Sequence, residues 1–243
     1  YHLEKIKALS DKITKSRAAN KTLYVDDLVD FELLCTDAFL LLGSHYLAGR
    51  VNPETIHTEW VVNNPKADLA VFLQNALDEK RITSRLTRLL PPHDGYALLR
   101  NTLMHYRNLS DNHPHSPTIS GPKLQLENRH DRVRDVKKRL EVLGDLSEID
   151  GVSTDLFDKK LEEAARKFQQ RHGLEIDGIV GPRTLAALNV PLDDRIRQIE
   201  LNLERWRWIP HELGQRHILV NIADYKLTVS ENDEKVMDMK VVV

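Results

Sequence analysis

The sequence predicts a mainly α protein: a helical scaffold in front, a compact three-helix module behind it, and a short C-terminal antiparallel β segment. Three observations predict this. Apolar residues recur at spacings of three and four through much of the first 206 residues, which is the pattern of amphipathic helices. Glycine and proline stand where those stripes stop or start. After Trp208 the apolar period changes to two, with Ile218, Val220 and Ile222 and then Tyr225, Leu227 and Val229, as half-buried strands require.

In chain order, Leu28, Phe31, Cys35, Ala38 and Leu42 make the first long stripe. Asp26 or Asp27 can cap its start and Gly49 can stop it. Leu69, Phe72, Leu73 and Ala76 mark a helix within residues 66–78, and another is expected over residues 96–106. Pro91 and Pro92 separate the two, because proline lacks a donor and disfavours helix before it. Residues 108–122 are dense in turn formers and read as a linker. The expected division is a scaffold over 1–110, a linker over 111–127, the module over 128–190, a scaffold helix over 191–212 and the β segment over 213–243.

The module shows three stripes. Val133, Val136, Leu140 and Leu143 end at Gly144; Phe157, Leu161, Ala165 and Phe168 end at Gly173; Leu185 and Leu188 follow Pro182 at a helix start. The turns Asp150-Gly151-Val152 and Asp177-Gly178-Ile179-Val180 each precede a helix, a weak repeat of about 27 residues. It suggests a pseudo-symmetric three-helix bundle. Beyond it, Ile196, Ile199, Leu203 and Trp206 share one helical face, and Trp206 is expected to pack on the sheet that follows. Strands are expected over residues 218–222, 225–229 and 236–243.

Of the 243 residues, 41% are apolar and 30% charged, and the net charge of -2 excludes a general nucleic-acid binder, which needs a strongly basic face. Cys35 is the single cysteine, so no intrachain disulfide forms. Its place on an apolar stripe makes it a small core residue rather than a nucleophile. No run of 18 apolar residues provides a membrane span. The histidines His105, His113, His115 and His130 lack helical ligand spacing, so neither a metal nor a cofactor is expected. The first residues and Lys240-Val241-Val242-Val243 read as cuts in a longer protein, in which a removed export signal could have stood upstream.

Two stretches carry a resemblance. Val136 to Leu146, then Phe168-Gln169, Gly173-Leu174, Asp177-Gly178-Ile179-Val180-Gly181-Pro182-Arg183-Thr184-Leu185 and Leu188-Asn189, resemble the peptidoglycan-binding domain of cell-wall hydrolases and transpeptidases. Asn202-Leu203-Glu204-Arg205-Trp206-Arg207-Trp208 and His217 to Tyr225 resemble the junction into the catalytic domain of large scaffold-bearing L,D-transpeptidases. Leu47 to Pro53 and Tyr96 to Arg107 resemble their scaffold.

The resemblance implies peptidoglycan as partner, in its stem peptide or its glycan, and a periplasmic or cell-envelope location. It also implies a parent enzyme that cross-links stems through a cysteine thioester. The family's Ser-x-Gly-Cys-x-Arg pattern does not occur in this chain, which implies no catalytic residue here and no activity of the chain alone. The alternative is a stand-alone peptidoglycan-binding protein without an enzyme. Arg166, Gln169, His172, Asp177 and Arg183 are the candidate contacts, since they offer groups toward a carboxylate or a sugar. They are expected to line a concavity between the second module helix and the turn and helix of residues 177–188. Gly173, Gly178, Gly181, Pro182 and Thr184 are expected to shape the backbone. The strand at residues 236–243 is expected either to pair with further strands of a larger sheet or, left unpaired, to self-associate through its edge.

Overall fold

The computed structural model describes residues 1–20, 22, 24–56, 65–113, 117–147, 155–232 and 234–242. Nine α-helices and one three-stranded antiparallel sheet stand among them, so the chain is mainly α. None of the described helices is long and apolar enough to cross a membrane. The chain divides into two compact units, residues 1–99 with 201–213, and residues 100–200 with 214–243.

The first unit holds α1 (Leu3–Ala18), α2 (Val25–Ala48), α3 (Leu69–Asp78) and α4 (Ile82–Thr87). Asp26 and Asp27 lie inside the first turn of α2 and do not cap it. Tyr24 takes the cap position without a side-chain bond, because the helix begins at Val25, three residues before the first residue of the apolar stripe, Leu28. Acidic side chains still favour that end through the helix dipole, and Asp27 also pairs with Lys12 of α1 at 2.7 Å. At α3, Asp68 accepts from the backbone of Ala70 and Val71 at 3.0 and 3.1 Å. Cys35 is half-buried and lines an apolar groove with Phe31, Phe39 and Leu73.

One clasp in this unit explains two distant sequence runs together. The carboxylate of Glu204 accepts from the backbone N–H of Arg50 and, at 3.0 Å, of Val51. Gly49 has φ +83°, and a Cβ there would run into the same carboxylate. Arg207 bonds Glu204 at 3.1 Å and the Tyr96 hydroxyl at 3.1–3.2 Å. Trp206 places its ring against Gly95 and, at 5.4 Å between centroids, against His93.

In the second unit, α5 (Asp94–Asn112) contributes its residues from Arg100 onward. Residues 108–112, expected in a linker, are therefore helical. The stretch after them is extended and packed. Ile119 and Leu124 are 4% and 3% exposed and belong to the module core. The Asn189 side chain pairs with both backbone groups of Ile119 at 2.8 and 2.9 Å, and Leu124 bridges Val180 antiparallel.

The module itself follows from its stripes. α6 (Arg132–Val142), α7 (Lys159–Arg171) and α8 (Pro182–Leu188) bring Val136, Leu140, Leu161, Phe168 and Leu188 into one cluster, each at most 1% exposed. Phe157 sits before α7 rather than in it, its backbone paired with Glu127 and Asn128 at 2.8 Å. Asp158 caps α7 at Leu161 N (2.9 Å) and holds the buried Lys137 ammonium at 2.9 Å. Burial pushes the Asp158 carboxyl up, but Lys137 and the Leu161 amide outweigh that and hold it below the usual range. Gly144 and Gly173 end their helices at φ +80° and +63°. The turn at Asp150-Gly151-Val152 lies outside the described residues.

α9 (Leu192–Trp206) precedes the sheet of β1 (Arg216–Asn221), β2 (Lys226–Glu231) and β3 (Glu234–Lys240), in that spatial order. Ile218 faces Val229, and Val229 faces Met237 next to a register shift at Val229/Ser230. The period of two does not translate into a buried face among the described residues: in β1 only His217 is partly covered.

Candidate functional site

The candidate residues separate into a closed hydrogen-bonded clasp, a cavity wall and an exposed surface. Gln169 is the centre of the clasp. It lies in the last turn of α7 on the apolar side and is 1% exposed. Its Nε2 lies 2.7 Å from the Asp177 carboxylate, 3.0 Å from the Ile179 carbonyl and 3.2 Å from the Thr184 hydroxyl. Its Oε1 accepts from Gly178 N–H at 2.8 Å. No part of this amide is left to meet a ligand, so Gln169 acts on the turn and not on what the turn touches. A buried amide must be satisfied in this way, and the Asp-Gly turn supplies the partners.

The other clasp members follow from the same need. Asp177 accepts from the Ile179 N–H at 2.8 Å, and this bond, with that from Gln169, holds its carboxyl below the usual range. Gly178 takes φ +75°, where a Cβ would meet Glu162 Cγ at 2.7 Å and Arg166 Nε at 3.0 Å. Arg166 donates to the Ile176 carbonyl at 2.9 Å and pairs with Glu162 at 3.0 Å. Thr184, 5% exposed, donates to the Ile179 carbonyl at 3.2 Å. Gly181 takes the cap position of α8 and Pro182 its first turn. The space expected as a concavity between α7 and the turn is therefore filled by Gln169. Arg183 is exposed on α8, outside these bonds.

His172 belongs elsewhere. Its ring lies 4.2 Å from that of Phe168, and its Nε2 is buried without a hydrogen-bond partner. Burial, and then the charges of Arg195 and Arg171, push its pKa down to about 4, so it is neutral at pH 7. It lines a cavity of about 510 Å³ within the second unit, with walls from α5, α6, α8 and the start of α9. That volume falls in the range of small-molecule sites.

Two arginines share the cavity. Arg139 is 9% exposed and donates to the carbonyls of Leu188 and, at 2.8 Å, of Pro117. Arg195 donates to the Ala187 carbonyl at 3.1 Å. Sequence reasoning missed both. Arg139 stands on the buried side of α6 among valines and leucines, and a buried, unpaired arginine is the signal that finds it. Among the described residues, no three His, Cys, Asp or Glu side chains gather as metal ligands.

Residues 129–188 match the family described as "Putative peptidoglycan binding domain", and residues 1–103 match the scaffold domain family. The chain thus carries a domain of the peptidoglycan-binding kind and a scaffold domain. It is also similar to the N-acetylmuramoyl-L-alanine amidase CwlM of Mycobacterium tuberculosis, 39% identical over 75 residues. That stretch is 28% of this chain and 18% of the amidase, so the chain spans under a fifth of that relative.

Proposed function

We propose that this chain binds peptidoglycan through residues 128–190 and presents that module on a helical scaffold, as part of a cell-wall L,D-transpeptidase of the periplasm or envelope. The observation that carries the reading is the module's match over residues 129–188 together with its one contiguous core, which Ile119 and Leu124 complete. The transpeptidase parentage rests on the Asn202-to-Trp208 run and on His217 to Tyr225. Residues 191–212 serve as a scaffold helix in this reading, and residues 213–243 as the opening strands of a catalytic domain. Cys35, facing an apolar groove, takes no part in chemistry. β1 and β3 are the sheet's edges, and either can pair with a further strand, including that of a second copy.

The test is retention of the full chain on purified sacculi. Retention well above that of a helical control protein is expected, at the micromolar-to-millimolar strength of a small polar site. Retention no better than the control refutes the reading. A tetrapeptide-stem turnover assay of wild type and Cys35→Ala checks the chemistry: turnover that depends on Cys35 refutes the assignment of the chain as scaffold and binding module.

A further inference from the structure

We infer that the cavity walled by Arg139, Arg195 and His172 receives a carboxylate of a peptidoglycan stem peptide. This rests on the reading above and narrows it from the polymer to one chemical group.

Charge is the first ground. Arg139 and Arg195 both reach the cavity, and both are held there by backbone carbonyls. Neither has a carboxylate within ion-pair distance among the described residues. Exposed Asp135, one turn back on α6, favours the Arg139 charge without an ion pair, and Arg195 is half-buried. Carbonyl dipoles orient both guanidinium groups without neutralising them, and a charge withdrawn from water without an ion partner is costly. Asp193, the acidic residue on the rim, accepts from the Ser110 hydroxyl at 2.8 Å. Arg171, next to His172, is already paired with Asp145 at 2.5 Å. The two cations at the cavity thus exceed the one acidic side chain that lines it.

The second ground is the orphan nitrogen. His172 Nε2 is buried and unpartnered. A carboxylate oxygen at this position accepts from a neutral imidazole N–H, while the guanidinium groups take the anion's charge. A neutral sugar offers no such charge, and a cation is repelled by both arginines. The stem peptide is the part of peptidoglycan that carries carboxylates.

Chemical-shift mapping on the full wild-type chain tests this with three probes: a free-acid stem tetrapeptide, the same peptide with its carboxylates amidated, and inorganic phosphate. The expected result is a shift of the His172 ring and Arg195 side-chain signals by the free acid, and binding at least tenfold weaker for the amide and for phosphate. Arg195→Gln should weaken the free acid tenfold, while Lys167→Gln, on the exposed face of α7, should leave it unchanged. Equal binding of the amide, or of phosphate, overturns the inference. So does an unchanged affinity in Arg195→Gln with α7 still protected from hydrogen exchange. If sacculi retain the chain but these shifts are absent, the cavity assignment alone fails. If sacculi do not retain it, the peptidoglycan reading fails first.

Discussion

The module and the C-terminal sheet differ in how they use apolar residues. In the module, fourteen buried apolar side chains form one contiguous cluster. In the sheet, Ile218, Leu219, Val220, Val236, Met237 and Met239 are 40–64% exposed, and Val229 is the buried apolar residue among those described. Yet α7 is largely charged or polar, while β1 reads Arg-His-Ile-Leu-Val-Asn. Apolar content does not decide which one closes a core. In α7 its apolar residues Leu161, Ala164, Ala165 and Phe168 share one face, and α6, α8 and the extended segment at Ile119–Leu124 supply opposing surfaces. The strands have apolar side chains on both faces and, within their own sheet, nothing to bury them against.

This contrast predicts where a substitution is felt. Phe168→Ala should have the largest effect, because the ring is 0% exposed at the centre of the cluster. The loss should be about 3–5 kcal/mol, combining transfer and cavity costs. Hydrogen exchange of α7 amides reads it within the full chain without assuming that both units unfold together. A loss under about 1 kcal/mol would mean that the module does not depend on a single core.

Gln169→Ala comes next and sharpens the division between clasp and ligand site. It leaves the Gly178 N–H and the Asp177 carboxylate without their inner partner. Orphaning the buried Gly178 N–H costs about 1–3 kcal/mol, and half-buried Asp177, which keeps the Ile179 N–H, adds less, so a loss of about 2–3 kcal/mol is expected. Retention on sacculi, corrected for the folded fraction, should stay unchanged. Lower retention with an intact fold would place Gln169 at the ligand.

The same contrast explains what the sequence made legible. Helices whose stripes face one common core were readable, including the helix ends at Gly144 and Gly173, where a left-handed residue is required. The sheet was readable as strands from its period of two. Its lack of a buried face was not, because alternation says nothing about whether a second layer exists. The short helix α4 carried too few turns to show a stripe. The linker expectation failed at residues 108–112 because turn formers tolerate a helix C-terminus, and Ile119 and Leu124 gave no periodic signal. At the candidate site, the motif pointed to the right residues but not to their roles. Gln169, Asp177 and Thr184 use their polar groups on one another, which only the fold reveals, and Arg139 and Arg195 come to line one cavity from elements far apart in sequence.

His172 provides a pH test confined to the module. Its folded pKa is about 4 against an ordinary value of 6.5. The unfolded chain therefore binds the proton more readily, and stability is full above about pH 6.5 and falls as pH drops toward 4. The shift corresponds to a loss of about 2 kcal/mol once partial solvent screening is allowed for. In His172→Phe, which keeps a ring beside Phe168, α7 protection should lose this component between pH 6.5 and 4. An identical pH profile in both chains would show that the imidazole is not held neutral by burial.

The smallest effect is expected in the sheet, and there the comparison is most exposed to failure. Ile218 is 64% exposed and lies opposite Val229 across β1 and β2. Ile218→Thr keeps the β-branch, so strand propensity changes little. The apolar area it removes already faces water, and such surface changes fall within about 0.5 kcal/mol. Hydrogen exchange of β2 amides should match the wild type at low protein concentration. A loss above about 2 kcal/mol would mean that this face is covered in solution. Repeating the measurement over a concentration series then identifies the cover. A loss that grows with concentration assigns it to a second copy pairing at the sheet edge, and a loss independent of concentration assigns it to the chain itself. In either case the sheet would have a second layer, and the difference between it and the module would lie in partners rather than in the placement of apolar residues.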